Sequence, residues 1–82
     1  MPYINSLRRE QLDTHGTISE DDGAGVLNYM LTRVIQTYLQ RHKGYQAIND
    51  IIGALESCKM EFYRRVAAPY EDKKIQENGD VY

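Results

Sequence analysis

A single cysteine in 82 residues, Cys58, leaves no possibility of an intrachain disulfide, so the fold has no covalent staple and a reducing compartment is the simplest setting. Tryptophan is absent, and the only prolines are Pro2 and Pro69. No stretch approaches the roughly 18 apolar residues that cross a bilayer. The start, MPYINSLRRE, lacks an apolar core of signal-peptide length, and the expectation is a cytoplasmic protein. Neither sign of charge dominates: ten Lys and Arg face twelve Asp and Glu, for a net charge of -2. That balance argues against extended nucleic acid as a partner, since such binders neutralise many phosphates. A glycine-rich phosphate loop followed by lysine is also missing. Gripping one or two phosphates stays open.

Tyrosine is what the chain has in excess, with seven beside the single Phe62. A hydroxylated ring packs against apolar or π surfaces while its OH seeks a hydrogen-bond partner, which suits interfaces and ligand pockets better than dry cores.

The chain reads as one helical domain, 1–82. After an extended MPYI, a short helix is expected over NSLRREQLD, with Asn5 or Ser6 capping its first N–H groups. THGTISEDDGAG reads as a loop of turn and cap residues. Ser19 and Asp22 have capping-box-like spacing, and the next helix is expected to start between Ser19 and Val26. From there Val26, Leu27, Met30, Leu31, Val34, Ile35, Tyr38 and Leu39 form one apolar stripe. Arg41, His42 and Lys43 suit the negative end of that helix, Gly44 suits its C-cap, and a helical hairpin is expected there.

The second long helix is expected from about Tyr45 to Ala68, with Ile48, Ile51, Ile52, Leu55, Cys58, Phe62 and Val66 on one side. Gly53 within it is read as a place of close backbone approach to a neighbouring helix. Pro69 is expected to kink or end this helix, PYEDKKIQEN to restart a short one, and Asn78-Gly79 to turn the chain. Two amphipathic helices with wide stripes and two short helices make a thin monomer. The fold class is therefore all-α, two long helices in a hairpin with short N- and C-terminal helices, assembling as a homo-oligomeric helical bundle.

Catalysis has little support. Cys58 falls on the apolar stripe and reads as a buried, inert thiol. His15 and His42 have no metal-site spacing around them, and Glu56, Glu61 and the run Glu20-Asp21-Asp22 read as solvated surface, so no metal, cofactor or catalytic residue is expected. More telling, Tyr29, Arg33 and Gln36 share one helix face, and Glu56, Lys59 and Tyr63 share another. Arg64-Arg65 and Lys73-Lys74 lie beyond them. Rings that stack beside cations that hold phosphate are what a nucleotide-like ligand requires. The candidate ligand-binding residues are Tyr29, Arg33, Lys59, Tyr63, Arg64, Arg65 and Tyr70. The plainer alternative makes Glu56-Lys59 and Glu61-Arg65 ordinary surface ion pairs and has the tyrosines seal a subunit interface.

The segments MPYI, LNYMLTR at 27 to 33, INDIIGALE at 48 to 56, and KMEFYRRVAAPYEDKKIQENGDVY at the end resemble a family of small uncharacterised proteins from phage and bacterial genomes. That resemblance carries no catalytic residues. It implies phage association and a host bacterial cytoplasm, where small non-enzymatic phage proteins act on host machinery. The expected function is sequestration of a small nucleotide-derived immune signal of the host, an anti-defence sponge. The alternative is a module that binds and inhibits a host protein. Residues 69 to 82 are expected to be ordered and to pack on the long helices, those of a neighbouring subunit in the first place, with Asp80 and the terminal carboxylate meeting Arg64 or Arg65.

Overall fold

The computed structural model of the protein describes residues 5–15 and 18–82. The extended start expected at 1–4 lies outside these residues, as does the 16–17 portion of the expected first loop. Among the described residues every regular element is helical. The chain divides into two compact units, Met1–Lys43 and Gly44–Tyr82.

In the first unit, α1 spans Ser6–His15 and α2 spans Ala24–Arg41. Asn5 caps α1 as expected, its Oδ1 accepting the Arg8 N–H at 2.8 Å. Leu12 and Val26, 3% and 7% exposed, are the buried anchors of this unit, and α1 lies against α2. The 18–23 loop is tied to α1 by charge. Arg8 Nε donates to Asp22 Oδ1 at 2.8 Å and its NH2 group meets Oδ2, a two-pronged pair that leaves the Asp22 side chain 8% exposed. Asp22 Oδ2 also accepts the Ser19 N–H at 2.7 Å. These bonds, led by Arg8, hold the Asp22 carboxyl down at about 2.

The Ser19 and Asp22 spacing is thus spent on a turn. The helix start falls at Ala24, within the expected range, but its N-cap is Gly23 with no side-chain cap. At the other end α2 stops at Arg41. His42 leaves it in an extended conformation and stacks its ring on Tyr38, with centroids 4.3 Å apart.

The second unit opens at Gly44, whose φ of 96° is open chiefly to glycine. It caps the start of the next helix rather than the end of α2. Here α3 (Tyr45–Phe62), a π-helical segment (Tyr63–Ala67) and α4 (Ala68–Asn78) follow one another without a break. Of the two outcomes expected at Pro69, a kink or an end, the helix does not end there, and the short helix expected to restart is α4, with Pro69 in its first turn. The reason for the continuity lies in the hydrogen-bond ladder. A proline ring has no N–H to give and collides with the carbonyl four residues back, here Arg65. The ladder widens just ahead of it: the Ala68 N–H bonds the Tyr63 carbonyl, five residues back. The extra residue in the turn carries the helix past Pro69, with αR dihedrals at Phe62, Ala67 and Ala68 ahead of it. The helix ends as expected at Asn78, where Gly79 with φ 85° donates its N–H to the Ile75 carbonyl at 2.8 Å.

Three further expectations are not met within the single chain. Among the described residues, and apart from its own helix, Gly53 has nothing within 4 Å of where a Cβ would stand. Cys58 is exposed, because the stripe that carries it is uncovered: Ile52, Phe62 and Val66 are 61%, 62% and 51% exposed. Asp80 does not reach Arg64 or Arg65, which both turn to Glu61. It accepts the Tyr82 N–H at 2.9 Å instead.

Candidate functional site

The expected site residues fall into two groups, one in each unit. In the first, Tyr29 and Arg33 stand one turn apart on α2 and converge on Asp13, in the last turn of α1. The Tyr29 hydroxyl donates to Asp13 Oδ1 at 2.5 Å, and Arg33 Nε lies 3.3 Å from the same oxygen. Arg33 also donates to Gln36 Oε1 at 3.2 Å, so the predicted Tyr29, Arg33 and Gln36 face is real. Hydrogen bonding to Asp13 pushes the Tyr29 hydroxyl above the ordinary phenol pKa, helped by burial and the Asp13 charge and opposed by the charges of Arg33 and Arg9.

Two open grooves flank this bridge. One, about 330 Å³, is lined by Leu12, Asp13, Met30, Arg33, Val34 and Thr37. The other, about 360 Å³, is lined by Ser6, Arg9, Glu10, Asp13 and Tyr29. Both sit at the small end of volumes that hold small molecules. Asp13 was not among the sequence candidates. Its contacts lie 16 and 20 residues away and depend on how α1 docks, so spacing within one helix carried no signal for it.

The second group lies along the α3 to α4 helix. Tyr63, Arg64 and Arg65 all fall in the π-helical segment, a local geometry that recurs at functional sites. The Tyr63 phenol pKa is raised, by hydrogen bonding to Glu71 first and then by its charge, with burial and Asp72 adding to it. Residues eight apart stand about 80° apart around a regular α-helix, and the wider turns between these two reduce that offset. Tyr70 offers its ring to the Lys74 ammonium, 5.5 Å from the centroid. Lys59 pairs with Glu56 at 3.3 Å, Arg64 with Glu61 at 3.0 Å, and Arg65 with the same Glu61 oxygen.

Each candidate cation therefore already has a carboxylate partner. These pairs are 43% exposed or more, and in water such contacts are weak and exchangeable. A ligand bearing concentrated negative charge has only to replace them. Among the described residues no three His, Cys, Asp or Glu side chains gather where they could hold a metal ion, and no helix is long and apolar enough to cross a membrane.

The profile of a family described as a domain of unknown function (DUF6899) matches residues 1–81, and the chain belongs to that family. No curated protein and no solved structure matches it.

Proposed function

We propose that this member of the DUF6899 family is a non-enzymatic, phage-encoded binding protein that sequesters a small nucleotide-derived signal of host immunity. The observation that carries this reading is the convergence of Tyr29 and Arg33 on one carboxylate oxygen between two grooves. A ring hydroxyl and a guanidinium that meet on an oxyanion hold it as they would a phosphate oxygen. Leu12, Met30 and Val34 beside it offer an apolar floor for a base. Tyr63, Arg64 and Arg65, with Lys59 and Tyr70 on either side, supply a second set of ring and cation donors.

Sequestration needs no turnover, only affinity and abundance. The assembly belonging to this reading is a homo-oligomeric helical bundle with the two long helices in a hairpin. Its support is the apolar surface a single chain leaves open, including Leu31 at 45%, Val34 at 66% and Ile52 at 61%. Incubation with cyclic di-AMP and with ADP-ribose tests the binding. The expected result is a raised melting temperature and depletion of intact nucleotide from solution. Neither nucleotide producing a shift or depletion overturns the reading.

A second reading is favoured by one specific feature. Phe62, Val66 and Tyr70 are each more than half exposed on a helix whose π turn, Tyr63–Ala67, holds Val66 and separates Phe62 from Tyr70, which suits the anchors of a protein interface. Here the chain binds and inhibits a host protein with no small ligand. A stoichiometric partner captured from host lysate that survives removal of small molecules separates it from the first.

A further inference from the structure

We infer that Asp13 is an internal stand-in for the anionic group of the ligand, holding the Tyr29 and Arg33 donors in place until a phosphate displaces it. The inference rests on the reading of Tyr29 and Arg33 as ligand-binding and adds to it the residue that regulates access.

Four observations lead there. One oxygen of Asp13 takes both the Tyr29 hydroxyl, at 2.5 Å, and Arg33 Nε, at 3.3 Å, which is how a single phosphate oxygen would be held. Asp13 is also the residue that the two flanking grooves share, so moving it joins them into one longer trough. It is 43% exposed, and its carboxylate can rotate into water without losing much solvation. Finally, an acid in the last turn of α1 meets the negative end of that helix dipole, so it does not favour the helix that carries it. Its presence is accounted for by what it holds on α2.

The geometry also narrows the ligand. With a phosphate between Tyr29 and Arg33, one side of the trough presents Leu12, Met30 and Val34, and the other Ser6, Arg9 and Glu10. A phosphorylated compound with a flat or aliphatic body and a second polar arm, able to donate to Glu10 and accept from Arg9 or Ser6, uses both halves. Inorganic phosphate uses neither.

Calorimetric titration of the full chain with ADP-ribose and with cyclic di-AMP tests this. Asp13→Asn keeps an acceptor for Tyr29 and removes the competing charge. It is expected to bind about fivefold tighter than the natural chain, the effect of one charge at about 4 Å in water. Arg33→Gln is expected to abolish binding with or without the Asp13 change. If the natural chain binds through Arg33 and Asp13→Asn binds equally or more weakly, the stand-in is overturned while the site survives. If neither nucleotide binds any variant, the site and the inference fall together. Because the substitution also loosens α1, the carboxyl 13C resonance of Asp13 is followed in the natural chain. It is expected to move on addition of nucleotide, and an unmoved resonance at saturation overturns the displacement.

Discussion

Replacing Leu12 by alanine probes how the first unit holds its site together. Leu12 is 3% exposed and is one of two buried anchors that α1 and α2 share. The change deletes three carbon groups at about 0.8 kcal/mol each, or about 2.4 kcal/mol, and the cavity left behind adds to that. At about 1.4 kcal/mol per tenfold, release of α1 becomes about 50-fold more frequent. The direct assay is native-state hydrogen exchange at α1 amides such as Arg9, whose N–H bonds the Asn5 carbonyl at 3.1 Å. Because Asp13 sits next to Leu12, the Tyr29 hydroxyl is expected to lose its partner as α1 opens, and its raised pKa to fall toward the ordinary phenol value. Leu31→Ala serves as the control, since Leu31 is already 45% exposed. Unchanged exchange in α1 on loss of Leu12 would refute the claim that this side chain fastens α1 and, with it, Asp13.

Acid should loosen the same unit through Asp22. Its folded pKa, at about 2, lies below the unfolded 3.8, so its stabilisation is complete above about pH 4 and is lost as pH falls toward 2. Melting curves across that window should show a steeper loss for the natural chain than for Asp22→Asn, and parallel curves would contradict the Arg8 pairing. Pro69→Ala restores an N–H for the Arg65 carbonyl and lets the helix return to its ordinary ladder. Tyr63 then turns away from Glu71, and ultraviolet pH titration should find its pKa lowered toward that of a free phenol; a pKa that stays raised contradicts the role given to the π segment. Cys58, exposed in the single chain, should react quickly with a thiol reagent in dilute protein and several-fold more slowly as assembly covers its stripe. Labelling independent of protein concentration counts against an interface there.

What the sequence made readable is what a few neighbouring residues decide. The Asn5 cap, the stripe of α2 and the Gly79 terminus are local matters of periodicity and φ, and they appear where spacing put them. The short helix that begins beside Pro69 was readable, but the π-helical segment ahead of it was not, because that segment depends on several hydrogen bonds widening together rather than on proline alone. Gly44 shows a finer failure, since its positive φ was legible but not which helix it would cap. Cys58 and Gly53 were read as though a neighbour covered their helix, and an apolar stripe does not say what covers it. Of the site, the Tyr29 and Arg33 face was visible from residues one turn apart. Asp13 and Glu71 were not, because one depends on how α1 docks and the other on the altered helical phase beyond Tyr63.

Mass spectrometry of the protein purified from bacterial cells, first native and then denatured, addresses sequestration most directly. A homo-oligomer carrying a fixed number of nucleotide-sized ligands, released chemically intact on denaturation and lost in Arg33→Gln, is the predicted result. A chain that carries no small molecule from cells known to be producing such signals, or that releases a chemically altered one, contradicts it.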